Sequence, residues 1–204
     1  MVNKINLSRP HKITSIIFSV IHFALMIVCV VQVGREASTG THLRELRTGD
    51  TNMRIENTMS ASVIFPFFNG MALLIFAFLP YALFPISIII LSAIELILFC
   101  VCIGRASRIL FDKENIEFIN FAKKSLNNGN RFYQNQPWSE EFLKQVLVFY
   151  NILITNLVIC ILGILIVLAT IAIMILIFRK HRTGQELSPT SASKSSGTST
   201  MRTL

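Results

Sequence analysis

Three polar side chains, His22, Asn69 and Glu95, interrupt stretches of sequence that are otherwise almost wholly apolar. Each lies about eight or nine residues from one end of its stretch, or about 12–14 Å along a helix axis, so helices that cross a membrane would place them at a similar depth. Together they can form a proton or ion pathway, with Glu95 as the titrating or coordinating group and His22 as its partner. They can equally form a hydrogen-bonded cluster that only fixes helix packing, and both interpretations are open at this stage.

A second polar group lies in the last apolar stretch and consists of Asn151, Thr155 and Asn156. It is nearer the surface on the loop side than the first group. We expect these side chains either to cap the same interior cavity or to hydrogen-bond to adjoining helices.

Nothing in the sequence predicts a catalytic centre, a metal site or a cofactor. There is no HExxH, GxSxG, Walker or CxxC motif. All four cysteines lie in apolar stretches, and Cys100-Val-Cys102 does not have the spacing of a metal or redox motif. We therefore interpret Cys29, Cys100, Cys102 and Cys160 as buried apolar residues, and the chain as non-enzymatic.

The composition is that of an integral membrane protein. The chain is 52% hydrophobic and 15% charged, whereas about a quarter of an ordinary soluble domain is charged. The net charge of +8 comes from basic residues dispersed among loops and tails, which favours anchoring at a membrane surface over binding to nucleic acid.

The elements that must position the polar groups are four predicted transmembrane helices. The stretch 61–104 is about twice as long as the ~20 residues that cross a bilayer, and it is broken only at Pro80 to Pro85. We predict an all-α, four-helix transmembrane bundle. The predicted segments are a polar lead at 1–12, spans at about 13–33, 61–79, 85–104 and 149–178, loops at 34–60 and 105–148, and a tail at 179–204.

The two loops are expected to differ in structure. Segment 34–60 has balanced charges and is predicted to be a solvated loop. After Gly104 the apolar periodicity continues to Leu126, which predicts that the third helix extends beyond the bilayer. Ser139 is a predicted N-cap of a last helix about 60 Å long, so the third and fourth helices are expected to project together as a hairpin.

The last span ends at a basic cluster that contains Arg179, Lys180 and Arg182 and is suited to anionic headgroups. The Ser/Thr-rich tail beyond it is predicted to be disordered. The basic tails and the uncharged turn between the second and third spans favour termini in the cytosol. More Lys and Arg flank the spans on the loop side, which by the positive-inside rule favours the opposite orientation, but we predict that the termini are cytosolic.

Two short segments resemble known four-span families. Phe18 to Leu25, read as FSVIHFAL, resembles the first span of the membrane-spanning four-domain subfamily A proteins, as do the overall length, the large loop before the last span and the polar tail. That resemblance implies cytosolic termini, oligomeric packing through the spans and association with receptors or channels. Ser92 to Ile97 resembles the acidic motif in the third span of MARVEL-type proteins. The long first loop and the apolar middle turn depart from the first family.

The function predicted from these features is a non-enzymatic multi-pass protein of the plasma membrane or an endomembrane. It assembles laterally in the lipid bilayer, with itself or with other membrane proteins, and organises a membrane patch or modulates a partner. The alternative is a small ion or proton channel or transporter that uses Glu95.

Overall fold

The described part of the chain is helical. A computed structural model describes residues 7–46, 58–81, 83–127 and 139–186. The helices are α1 (Arg9–Glu45), α2 (Ile64–Phe78), α3 (Phe84–Leu110), α4 (Lys113–Asn127) and α5 (Glu140–Glu186), with a 3-10 turn at Ser60–Ser62 before α2. The predicted all-α class is confirmed.

Three of these helices, α1, α3 and α5, are long and apolar enough to cross a membrane. Helix α2 is also apolar but has only 15 residues. Helix α1 packs against α2 and α5, and α3 packs against the same two helices. These lengths and compositions support the prediction of a membrane protein with transmembrane helices.

Three apolar cores follow one another along α5. The first is formed around Phe142, Phe149 and Leu153 and also contains residues of α1, α3 and α4. The second surrounds Cys160 and Val167, and the third surrounds Met174 and Ile177. Because each core takes residues from several helices, α5 is the common support of the fold.

The segment after the first predicted span differs from the expected solvated loop. Helix α1 begins with Pro10 in its first turn and continues without interruption to Glu45. Leu43 is fully buried in the apolar core around Phe142. Residues 34–45 are therefore helical because one face packs against the bundle, while 47–57 lie outside the described residues.

The predicted continuation of the third helix to Leu126 is formed by two helices, the end of α3 and the separate helix α4. Helix α3 ends at Leu110, and α4 begins after Phe111 and Asp112, where the Asp112 carboxylate accepts a hydrogen bond from the Glu114 N–H (3.1 Å). This cap starts a second helix, and periodicity alone does not reveal such a break.

Helix α5 starts as predicted, because Ser139 Oγ accepts a hydrogen bond from the Phe142 N–H (3.1 Å). It is one helix of 47 residues and continues past 178 through 179–186. The rest of the predicted disordered tail, 187–204, and most of the polar lead, 1–6, lie outside the described residues.

Helices α3 and α5 approach each other closely at Gly163. A Cβ atom built there would lie 2.6 Å from Cζ of the fully buried Phe99 ring. We expect Gly163→Ala to destabilise the protein by about 1–3 kcal/mol, because the buried Phe99 ring or the helix backbone must shift to admit the methyl group. The measurement is the free energy of unfolding in mixed micelles, followed by circular dichroism.

Gly104→Ala in α3 is the matched control, since nothing lies within 4 Å of a Cβ at that position. It should be neutral or stabilising, by up to about 1 kcal/mol, because alanine favours a helix over glycine. Equal effects of the two substitutions would contradict the close approach.

Candidate functional site

The polar residues of the first predicted group converge from separate helices. His22 of α1 faces Glu95 of α3, with 3.6 Å between Nδ1 and Oε1. The Asn69 side-chain amide of α2 donates a hydrogen bond to Glu95 Oε2. His22 Nε2 also lies 3.0 Å from Thr170 Oγ1 of α5. One connected polar network, which we call the His22–Glu95 cluster, therefore joins α1, α2, α3 and α5.

Two serines extend this cluster. Ser92, one turn before Glu95 on α3, donates to Asn69 Oδ1 (3.4 Å). Ser19, one turn before His22 on α1, donates to the Gly70 carbonyl oxygen (2.7 Å). Small side chains at these positions let the helices approach closely enough for direct hydrogen bonds.

The His22–Glu95 cluster is completely enclosed by protein. His22, Asn69, Ser92 and Glu95 each have an exposed fraction of 0–1%. Along α3 the cluster lies between Ile88 and Phe99, which belong to the two apolar cores on either side of it. No water-sized sphere reaches these groups, so the cluster is not part of a wet passage in this conformation.

Two atoms inside the cluster have no hydrogen-bond partner, His22 Nδ1 and Glu95 Oε1. They are the same two atoms that face each other at 3.6 Å. A single proton between them, with a slight closing of the gap, satisfies both atoms. The site by itself can therefore form one imidazole–carboxylate hydrogen bond.

The three residues of the second predicted group do not share one face of α5. Asn156 is buried with an exposed fraction of 1%, whereas Asn151 and Thr155 are exposed. Thr155 Oγ1 donates to the Asn151 carbonyl of its own helix (2.8 Å). Since each residue turns about 100° around the axis, Asn151 and Asn156 project in very different directions. The expectation of one shared polar patch is corrected: within the part of the chain that the structure describes, only Asn156 of this group hydrogen-bonds to adjoining segments.

Asn156 hydrogen-bonds to Glu36, a residue that is not among the predicted site residues. Asn156 Nδ2 donates to Glu36 Oε2 of α1 (3.3 Å). The other carboxylate oxygen, Glu36 Oε1, accepts hydrogen bonds from both the N–H and the hydroxyl of Thr58 (2.9 Å each). This second cluster, Glu36–Thr58–Asn156, ties the segment before α2 to α1 and α5.

A periodic signal for Glu36 was present in the sequence. The buried positions of α1 recur every three or four residues, and Glu36 continues the series on the same face (Ser15, Ser19, His22, Leu25, Cys29, Gln32, Glu36, Gly40, Leu43). Glu36 is also one of the balanced charges of segment 34–60, and this charge pattern favoured the prediction of a solvated loop over a continued helix.

The predicted basic anchor lies at the end of α5. Arg179 and Lys180 are exposed, and Arg182 lies in the helical backbone. Among the described residues, no group of three His, Cys, Asp or Glu side chains is placed to hold a metal ion. Of the cysteines, Cys29, Cys102 and Cys160 are buried and Cys100 is exposed.

Comparison with known proteins gives no family for this chain: no family model, curated protein or solved structure matches it. The resemblances to the membrane-spanning four-domain subfamily A and MARVEL-type proteins therefore stay predictions.

The contribution of the His22–Glu95 cluster to stability can be tested by replacing one buried and one exposed asparagine. Asn69→Ala removes the hydrogen bond to Glu95 and leaves buried polar atoms without a partner, so we expect a loss of about 1–3 kcal/mol in the free energy of unfolding. Asn151→Ala changes an exposed asparagine and should cost less than about 0.5 kcal/mol. Unfolding in mixed micelles measures both, and similar losses would contradict the role of Asn69.

Glu36→Ala should release the segment that precedes α2. The Thr58 amide loses its acceptor, so we expect its hydrogen exchange to accelerate by about tenfold or more. Exchange of the peptide that contains Thr58 can be followed by mass spectrometry in lipid nanodiscs. Glu45→Ala is the control on the same helix, because Glu45 has a 70% exposed side chain. Equal acceleration by both variants would contradict the proposed tie.

Proposed function

We propose that this chain is a non-enzymatic, four-span membrane protein that assembles laterally with copies of itself or with another membrane protein. In this role it organises a membrane patch or modulates its partner, in the plasma membrane or an endomembrane. The termini lie in the cytosol, and the part formed by α4 and the ends of α1, α3 and α5 projects on the other side.

The observation that carries this proposal is the enclosure of Glu95 between two apolar cores, at an exposed fraction of 0%. A conducting carboxylate must exchange protons or ions with water, and this one contacts only protein. Its hydrogen bond from Asn69 and its contact with His22 instead join α3 to α2 and α1, which is the behaviour of a packing group in a membrane.

Two further features support four spans and lateral contact. Helix α2 has 15 residues, or about 22 Å; the 3-10 turn before it and the residues up to Leu79 bring the segment closer to the ~30 Å hydrocarbon thickness. Large apolar side chains are exposed on α1, α2, α3 and α5, for example Val20, Phe78, Ile97 and Leu176. Such a surface suits lipid tails and other transmembrane helices.

The projecting part adds a water-facing contact surface. Its core contains Leu43, Ile119, Phe142 and Phe149, while the outer faces of α4 and α5 carry exposed ion pairs such as Lys113–Glu117 and Lys144–Glu140. A packed helical layer of this kind offers a defined shape that a partner outside the bilayer can recognise.

A proton or ion channel is the second candidate, and one observation favours it. His22 Nδ1 and Glu95 Oε1 face each other without a hydrogen-bond partner, as in a site that accepts and releases a proton. Conduction additionally requires a change of conformation that admits water to both atoms.

Flux through proteoliposomes separates the two functions. We expect proton and potassium flux at the rate of protein-free vesicles, both for the parent and for Glu95→Gln, because no water path reaches the carboxylate. Circular dichroism and size-exclusion elution must show that the variant is folded. Flux in the parent that Glu95→Gln abolishes would replace the proposed function by conduction.

Lateral assembly is tested by energy transfer between donor- and acceptor-tagged copies in vesicles that are progressively diluted with lipid. Self-assembly predicts transfer that stays constant on dilution, whereas random encounters decline in proportion to protein density. If transfer declines, native gels of gently solubilised membranes must show the chain in a larger complex. A monomer in both experiments would refute the proposal.

A further inference from the structure

Three sulfur-bearing side chains meet inside the bundle, from three segments that are far apart in sequence. The Cys160 thiol of α5 lies 3.3 Å from the Met59 thioether sulfur, which comes from the segment before α2. Cys102 of α3 packs in the same apolar core as Cys160 and Met59. All three side chains have exposed fractions of 0–1%. We call this group the sulfur cluster.

The chemical character of these atoms selects a class of ligand. Thiolate and thioether sulfur atoms are soft donors, and a set of two cysteines and one methionine suits Cu(I). Structural Zn²⁺ sites, by contrast, require four ligands. Since no three His, Cys, Asp or Glu side chains gather in the described part of the chain, a third ligand at this site must come from Met59.

The spacing of the sulfur atoms is close to what one metal ion needs. Two sulfurs bound at about 2.3 Å to the same ion, about 120° apart, lie about 4 Å from each other. The Cys160 and Met59 sulfurs are 3.3 Å apart, so rotation of flexible side chains opens the pair sufficiently. Methionine has three rotatable bonds and adapts readily to such a change.

The surroundings protect a bound Cu(I) ion and also compensate its charge. Phe99 and Val167 pack in the same core, which keeps water away from the sulfur atoms. Binding displaces one proton from each thiol, so the ion with two thiolates and a neutral thioether carries a net charge of −1. Arg105 lies one turn beyond Cys102 on α3, and its positive charge can offset part of this negative charge.

The position of the cluster gives the ion a route from the membrane surface. Cys102 is three residues from Arg105, where the apolar run of α3 ends. Met59 stands next to Thr58 and the short 3-10 turn rather than within a long helix. Met59 is therefore suited to receive the ion and pass it to the two cysteines.

We propose that Cys102, Cys160 and Met59 form a Cu(I) site between α3, α5 and the segment before α2. This inference is independent of the lateral assembly proposed above, because it rests on different residues at a different depth.

The test is an anaerobic titration of the purified protein in lipid nanodiscs, with Cu(I) supplied as its bathocuproine disulfonate complex. We expect one Cu(I) per chain, and X-ray absorption that shows an all-sulfur shell. Cys160→Ala should abolish the binding. Met59→Leu conserves the side-chain volume and should weaken the affinity for Cu(I) by about tenfold or more. Effects of that size follow even from the loss of groups that only hydrogen-bond to a metal ligand.

Cys100→Ser is the matched control, because Cys100 is an exposed cysteine only two residues from Cys102. It should bind Cu(I) as the parent does. Circular dichroism and size-exclusion elution verify that Met59→Leu and Cys160→Ala keep the parent's fold. No copper in the parent, or unchanged affinity in both variants, would overturn the proposal.

Discussion

A carboxylate inside an apolar helix is the constraint on which the rest of this structure depends. Transfer of Glu95 into hydrocarbon without partners is costly, and water does not reach it. Asn69 and His22 must therefore stand beside it, which fixes the rotation and depth of α1 and α2 relative to α3. Thr170 brings α5 to the same level through its contact with His22.

The second buried carboxylate, Glu36, repeats this principle nearer the end of the bundle. It accepts hydrogen bonds from the backbone and side chain of Thr58 and from Asn156, and so determines where the chain enters α2. Between the two polar levels, apolar side chains and sulfur atoms fill the interior. The two polar clusters set the register of the helices, while the apolar layers between them supply most of the contact area between helices.

The same arrangement bears on function. Polar groups that satisfy one another inside the bundle leave an apolar outer surface on the long helices, which is suited to contacts within the membrane. The apolar core around Leu43, Phe142 and Phe149 holds α4 against α1, α3 and α5. The sulfur cluster adjoins the Glu36–Thr58–Asn156 cluster, since Met59 follows Thr58 and Cys160 lies one turn beyond Asn156, but its donors are of a different chemical class.

The sequence by itself determined the helical class, the membrane-length apolar helices, the Ser139 cap and the choice of His22, Asn69 and Glu95, because hydropathy, capping and isolated polar residues are local properties. The tertiary structure alone decided which polar groups meet. It separated Asn156 from Asn151, buried Glu36 within a segment expected to be a solvated loop, and brought Met59 to Cys160. It also divided the helix after Gly104 at Phe111. These outcomes depend on the rotation and axial shift of whole helices, and residues about a hundred positions apart carry no local signal of their contact.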